Sequence, residues 1–338
     1  MKDEVRAERG GFLERQRHFC LLTSAFCLAL AVGGADAGAQ SFPSKPVRMI
    51  IPFAPGGGSD VLARFIGPRL SDRLGQPVVI DNRPAASGVV GADLVAKATP
   101  DGHTLLGTTV TFVINGTLQK GLPYDVFRDF APITLVIASP FGLLLHPSVP
   151  AKTVKEFVTY ARASPGKLLY GSSGPGSSPH LAAELFNSMT GIQMTHVPYK
   201  GIALAITAQL GNEVQVAFSN MFSTMGHWKA GRLRLIAHGG VKRTEGIPEI
   251  PTIAESGVPG FEAHNWYGYV APAKTPRPVV ERLYKEIAAV ANLPEVRRTL
   301  VAQGNDVITN TPQEFAKVVK ADGDRWGGIG RKLGITLD

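Results

Sequence analysis

The sequence predicts an α/β protein whose strands and helices form two lobes, with a mostly parallel sheet. Three observations carry that expectation. Short β-rich runs alternate with apolar residues at helical spacing, the pattern of βαβ units. Two loops rich in Gly and Ser, 55–60 and 171–178, each fall between such a strand and such a helix. The last third turns helical behind one apolar strand, so the chain reads as crossing to a second lobe near residue 140 and returning near 262. Lobe 1 is thus expected over 40–140 plus 262–338, and lobe 2 over 141–261.

The elements follow in order. Val47-Arg48-Met49-Ile50-Ile51 reads as the first strand, and after the glycine loop Leu62, Phe65, Ile66 and Leu70 share a helix face that Gly75 ends. A strand over 78–80, a helix near 91–97, a turn at Pro100-Asp101-Gly102 and a strand over 104–107 come next. Residues 133–138 and 142–145 are apolar enough for two buried strands. The middle third repeats the pattern, with a helix over 154–163, a strand at 168–170 and a helix opening at Pro179. Ser before Pro suits that helix start, because Pro lacks the N–H that would be left unpaired. Strands over 194–197, 214–218 and 233–237 alternate with helices over 202–210 and 223–230. Residues 266–270 form the apolar strand before the last helices. There Val280, Leu283, Tyr284 and Ile287, and then Phe315, Val318 and Val319, mark buried faces.

Composition bounds what the fold can do. At 338 residues and 44% apolar content the chain can bury real cores, which excludes a disordered protein. Residues 1–39 are expected to be a cleavable export leader rather than fold. An apolar run of 14 residues over 19–32 follows Arg15, Arg17 and His18 and precedes Ala37-Gly38-Ala39. It is too short to span a bilayer, which takes about 20 residues. Both cysteines, Cys20 and Cys27, lie within it, so the expected mature chain has no thiol for catalysis, zinc or disulfides. The leader holds five basic and five acidic residues, so the remaining 299 keep 30 against 22 and the formal charge stays +8. Lys and Arg are scattered without aromatic interleaving, which argues against nucleic acid and leaves a small anionic ligand as the natural partner. No later apolar stretch approaches 18 residues, so a soluble mature protein is expected.

In an open α/β sheet, ligands sit at the carboxyl ends of strands, where helix N-termini present free N–H groups. The two glycine/serine loops are at such junctions, and Gly56, Gly57 and Gly58 let backbone amides approach a ligand closely. The 55–60 loop lacks the Gly-Lys-Ser/Thr end of a phosphate loop, and no GxGxxG follows a strand. Gly171-Ser172-Ser173-Gly174-Pro175 departs from the hydrolase elbow GxSxG at its last position. No histidine pair has zinc spacing. His180 sits near a helix N-terminus, which disfavours its cation and leaves a neutral donor. An exported α/β hydrolase or lyase acting on a small acid through Ser173 or His180 is the alternative reading, without a base placed for the serine.

Several segments resemble one family. They are 53–60 (Phe-Ala-Pro-Gly-Gly-Gly-Ser-Asp), Asn82-Arg83-Pro84, 100–106, 146–150, 196–201, 229–234 and Trp266-Tyr267-Gly268. In consistent order from about residue 43 to the C-terminus, they resemble the Bug/TctC-type periplasmic solute receptors, binding subunits of tripartite tricarboxylate transporters. The resemblance implies a two-lobed periplasmic binding protein (type II-like), its lobes joined by crossing strands and closing over a small carboxylate. It implies no catalytic residue, metal or cofactor. The expected partners are transporter membrane subunits, or a sensory partner where there is no transport, and the chain is expected to be a monomer. Carried over residue by residue, the ligand site comprises Phe53, Ala54, Gly57, Gly58, Ser59 and Asp60 on the first loop, with Ser87, Thr108 and Thr109 in the same lobe. The opposite lobe adds Ser173, Gly174 and Ser177, with His180 behind them, then Tyr199, Ser219 and Asn220. Most relatives carry Asp in the segment matching Phe218-Ser219-Asn220, and another where Gln215 stands. Ser219 leaves nothing obvious to meet an ammonium group, which implies an acid with a neutral or second anionic end.

Overall fold

Continuous apolar runs become strands buried on both faces, because helices cover each side of a parallel sheet. The computed structural model describes residues 42–337, so the expected leader and its cysteines lie outside the described residues. The chain divides into Met1–Ser44 and Lys45–Asp338, and the architecture below is that of the second unit. Strand β1 (Val47–Ile51) has no exposed surface at Val47, Met49, Ile50 or Ile51. It pairs in parallel with β2 (Val78–Asn82) and β3 (Thr104–Thr109). Helix α1 (Gly58–Leu74) joins β1 to β2 and ends on Gly75 in the left-handed conformation. Helix α2 (Val89–Ala96) leads to β3, which runs directly into α3 (Val110–Leu118).

Strand β4 (Phe130–Leu145) then carries the connectivity of the whole sheet. Beyond it come α4 (Val154–Arg162), β5 (Leu169–Ser172), α5 (Ser178–Thr190), β6 (Thr195–Pro198) and α6 (Ile202–Leu210). Strand β7 (Val216–Asn220), helix α7 (Met221–Lys229) and strand β8 (Arg234–His238) complete this part. Strand β9 (His264–Pro272) returns the chain to helices α8 (Arg277–Ala291) and α9 (Pro294–Ala302), strand β10 (Asp306–Val307) and helix α10 (Pro312–Lys332). The sheet order is β2-β1-β3-β9-β4-β7-β5-β6, with β8 and β10 also on β4.

Two expectations are corrected here. The sheet is mixed rather than mostly parallel. Its two parallel groups, β2-β1-β3 and β7-β5-β6, are separated by β9 and β4, which pair antiparallel to their neighbours. The two strands expected over 133–138 and 142–145 are one strand of sixteen residues. Its first part, Phe130–Pro140, pairs with β9, and its last part, Phe141–Leu145, pairs with β7 and β8. Pro132 is tolerated because the register shifts beside it, and Pro140 because it closes the β9 ladder just where β4 changes partner.

Helix α10 closes the fold over β9. Its start is fixed by a capping box between Thr311 and Glu314, with Pro312 in the first turn. The helix buries Phe315, Val319 and Trp326. Trp266 of β9 meets Phe315 edge-on at 5.2 Å and donates its indole N–H to Asp322 at 2.6 Å, both side chains being buried. A buried hydrogen bond to a charged acceptor contributes about 1.5–3 kcal/mol. Asp322→Ala is therefore expected to lower the unfolding free energy by about 2–3 kcal/mol in urea denaturation.

Candidate functional site

Five helices begin at one cleft. It spans about 440 Å³ of space that is partly open to solvent, and its walls include Gly57, Gly58 and Ser59 at the start of α1, Thr109 and Thr111 at α3, and Ser178 and Pro179 at α5. Ile202 opens α6 there, and Asn220 caps α7. Each helix follows the carboxyl end of a strand, β1, β3, β5, β6 or β7, so the sheet brings the five N-termini to one level. Thr109 and Asn220 cap their own helices, accepting from Thr111 N at 3.2 Å and Ser223 N at 3.0 Å. Helices α1, α5 and α6 carry no side-chain cap. Ser178 N donates across the cleft to Thr111 Oγ1 at 3.1 Å, while Pro179 has no N–H to leave unpaired. No Lys, Arg, Asp, Glu or His lines this cleft. Its positive potential is that of helix dipoles, each favouring an anion by ~0.3–1 kcal/mol.

The floor comes from the crossing strands. Phe141 of β4 and Asn265 and Tyr267 of β9 line it. Asn265 Oδ1 accepts from Val110 N, the first amide of α3, at 3.2 Å. The Tyr267 hydroxyl bonds the Asn265 side chain, and burial pushes this phenol up. Gly58 is required here. A Cβ at that position would stand 2.2 Å from the Tyr267 hydroxyl and 2.9 Å from Asn220 Oδ1, closer than real carbon contacts allow. An outer chamber of about 750 Å³ adjoins the cleft through Phe53 and Ser173, with Ser87, Gly174, Tyr199 and Lys200 among its walls.

The sequence-predicted residues divide between walls and braces. Phe53, Ala54, Gly57, Gly58, Ser59, Thr109, Ser173 and Asn220 line the cleft. Ser87, Gly174 and Tyr199 line the outer chamber, and Thr108 lines a smaller space behind Phe53. Asp60, Ser177, His180 and Ser219 line none of the three. Asp60 is buried and accepts from Gly56 N at 3.0 Å, Arg64 Nε at 2.9 Å and Asn82 Nδ2 at 3.0 Å. Burial alone would raise its carboxyl, but the bonds from Arg64, Gly56 and Asn82 outweigh that and hold it below its ordinary range. Asp60 therefore fixes the glycine loop to α1 and β2.

The second loop is braced likewise. The Ser177 hydroxyl donates to Gly174 O at 2.6 Å, and Gly176 N donates to His180 Nδ1 at 3.1 Å. Ser172 Oγ bonds His196 Nε2 at 2.6 Å, and the His180 and His196 rings stack at 4.1 Å. Ser172 has no exposed surface and belongs to the brace, and no histidine or carboxylate lines the cleft beside Ser173. Ser219 is buried in β7 opposite Gly142, and its hydroxyl has no partner among the described residues. Gln215 is engaged in structure, accepting from Leu169 N at 3.1 Å.

A sequence model of the tripartite tricarboxylate transporter family receptor matches residues 62–335. The chain belongs to that receptor family. Its structure superposes on the periplasmic binding protein BugD with a TM-score of 0.84 at 31% identity, over 88% of this chain and all of that one. An R. palustris protein solved with adipate gives 0.85 at 35%, over 88% of this chain and 100% of its own. MatC of Rhodopseudomonas palustris, solved with bound malate, gives 0.81 at 30%, over 85% and 99%. The receptor fold is thus that of the two-lobed periplasmic binding proteins. Among the described residues, no helix is long and apolar enough to cross a membrane.

Thr111, Phe141, Ser178, Pro179, Ile202, Asn265 and Tyr267 line this receptor's cleft without having been named as site residues from sequence, although Ser178 ends the second glycine/serine loop and Tyr267 lies in one of the family segments. For two of them a signal existed. Tyr267 lies on the strand expected over 266–270, and Asn265, just before that expected start, shares its face because β9 begins at His264. Phe141 is found only once β4 is known to be continuous.

Gly58→Ala is expected to lower the unfolding free energy by about 1–3 kcal/mol through overpacking. Gly57→Ala meets nothing closer than 3.4 Å and is expected to cost under about 1 kcal/mol, both read by urea denaturation. Burial pushes His180, His196 and His238 down to about 4. They are neutral in the folded protein but take protons near 6.5 once unfolded, so their contribution is complete above pH 6.5 and lost as pH falls toward 4. Asp60 is likewise held below its ordinary value of 3.8, so its contribution is lost at lower pH still. Unfolding free energy is expected to decline between pH 6.5 and 4.5, and His196→Gln to flatten part of that slope.

Proposed function

We propose that this receptor is exported and captures a small organic carboxylate in the cleft, for a tripartite transporter or for a sensory partner, without transforming it. The observation that carries this reading is the meeting of five helix N-termini, three of them without side-chain caps, in a cleft that holds no charged side chain. Such a site favours an anion through oriented N–H groups and dipoles. The hydroxyls of Ser59, Thr111, Ser173 and Ser178 suit the same oxygens, and Phe53, Phe141 and Ile202 suit a carbon chain. Relatives solved with adipate and malate support an acid of this kind. The basic head, apolar run and Ala-Gly-Ala over 15–39 support export to the periplasm through a cleaved leader.

In this reading the walls named above, together with Ser87, Gly174 and Tyr199, meet the solute, while Asp60, Ser177 and His180 hold their loops in shape. Residues 40–140 with 262–338, and residues 141–261, would move as lobes about β4 and β9. Thr111–Ser178 and Ser87–Pro175 are the bonds that such opening breaks, the second a 3.1 Å bond from the Ser87 hydroxyl to Pro175 O.

Titration calorimetry of the purified protein with succinate, malate and adipate tests the site. At least one acid should bind and be recovered chemically unchanged. Ser173→Asp puts a like charge into the cleft wall and is expected to weaken binding at least tenfold, or roughly 1.4 kcal/mol. Ser173→Ala is expected to cost under about fivefold, in keeping with one neutral hydrogen bond. Solution scattering should show a smaller radius of gyration with saturating acid. The reading is overturned if no acid binds, or if Ser173→Asp binds as the parent does.

A further inference from the structure

The second glycine/serine loop meets the other lobe at three closely spaced residues. Pro175 O accepts from the Ser87 hydroxyl at 3.1 Å, and Ser178 N donates to Thr111 Oγ1 at 3.1 Å. Gly176, between them, meets the end of the chain. A Cβ at Gly176 would stand 2.2 Å from Leu337 Cδ1, 2.6 Å from Cδ2 and 2.9 Å from Cγ. The branched end of Leu337 therefore lies directly on the bare Cα of this glycine, and Leu337 is buried. From behind, Gly176 is held by its own N–H, which donates to His180 Nδ1 at 3.1 Å.

The tail that carries Leu337 is fixed to its own side by backbone bonds. Helix α10 runs to Lys332, and Gly334, with φ at 67°, turns the chain back. Gly334 N donates to Arg331 O at 3.1 Å and Ile335 N to Gly330 O at 2.9 Å. Leu337 then runs beside Gln119, just past the end of α3, as a parallel bridge, and its carbonyl accepts from Lys120 N at 3.3 Å. The backbone of the tail is thus anchored to α3, while the Leu337 side chain reaches over to the loop.

Of the three contacts, the one at Gly176 alone is apolar. The hydrogen bonds at Pro175 and Ser178 are exchanged for bonds to water when the lobes part, at small net cost. Leu337 has no such exchange, because parting bares its side chain and the Cα of Gly176 to water. The same loop supplies Ser173 and Ser178 to the cleft wall, so whatever holds Gly176 also holds that wall over a bound solute.

We infer that the C-terminal tail from Gly334 to Leu337 is a strap across the two lobes, in which Leu337 is a positioning residue that holds the second cleft loop against α3 and slows release of the solute. The inference rests on the carboxylate-receptor reading and its two lobes. It is tested on the full chain with Leu337→Ala and with Leu337→Met, which keeps an apolar side chain of similar volume. Amide hydrogen exchange without acid is read first, with β1 reporting global unfolding. In Leu337→Ala, exchange over 171–178 should rise roughly fivefold more than exchange over β1, and Leu337→Met should stay within about twofold of the parent. Stopped-flow kinetics with malate and adipate are read second. For an acid that binds the parent, Leu337→Ala should raise the dissociation rate roughly five- to tenfold and change the association rate by less than about twofold. A rise over 171–178 no larger than that of β1, or an unchanged dissociation rate, overturns the strap and leaves the receptor reading standing. If neither acid binds the parent protein, the receptor reading falls and the role in release falls with it, while the exchange rates alone decide the hold on the loop.

Discussion

A cleft that holds no charged side chain can attract an anion only if backbone N–H groups from several helices reach the same point, and that requirement shapes the rest of the molecule. One helix N-terminus supplies a fraction of a charge, so several must converge. Helices converge when the strands before them end at one level, as β1 and β3 do on one side of the sheet and β5, β6 and β7 do on the other. The two parallel groups can face each other across a cleft because β4 and β9 run between them. Tyr267, Asn265 and Phe141 then form the floor as a by-product of that connection.

The loops that deliver these N–H groups are glycine-rich and would be mobile if left alone, since glycine loses the most conformational freedom on ordering. Each is therefore fixed by polar side chains packed behind it. Asp60 gathers Gly56, Arg64 and Asn82 around the first loop, and Ser172, Ser177, His180 and His196 hold the second. Such preorganisation lowers the entropic cost of binding, because the donors are already placed when the solute arrives. The braces and the walls thus have different work, although they alternate within a few residues of each other.

That alternation explains how far the sequence could be read. The strands and most helices were legible because burial on one or both faces imposes its period on Val47–Ile51 or on the face of α8. The glycine and serine loops were legible as ligand-facing because few other needs place such residues between a strand and a helix. Which loop residues face the solute was not legible, since Asp60 and Ser59 are neighbours with opposite roles. Nor was the continuity of β4, because Pro140 reads locally as a break and only pairing with residues more than a hundred positions away overrides it. Thr111 and Ile202 belong to ordinary helix starts, and what makes them cleft walls is the meeting of distant strands.

The neutrality of the inner cleft has a consequence for how the receptor behaves in changing surroundings. Its one titratable wall residue, Tyr267, has its phenol pushed up by burial, well above the acidic and neutral range. A receptor built on arginine and aspartate would register external acidity through its own side chains. Here the proton balance of binding belongs almost wholly to the captured acid. The protein therefore reads the ionisation state of its cargo, and as a medium acidifies it keeps the stronger acids and lets the weaker ones go.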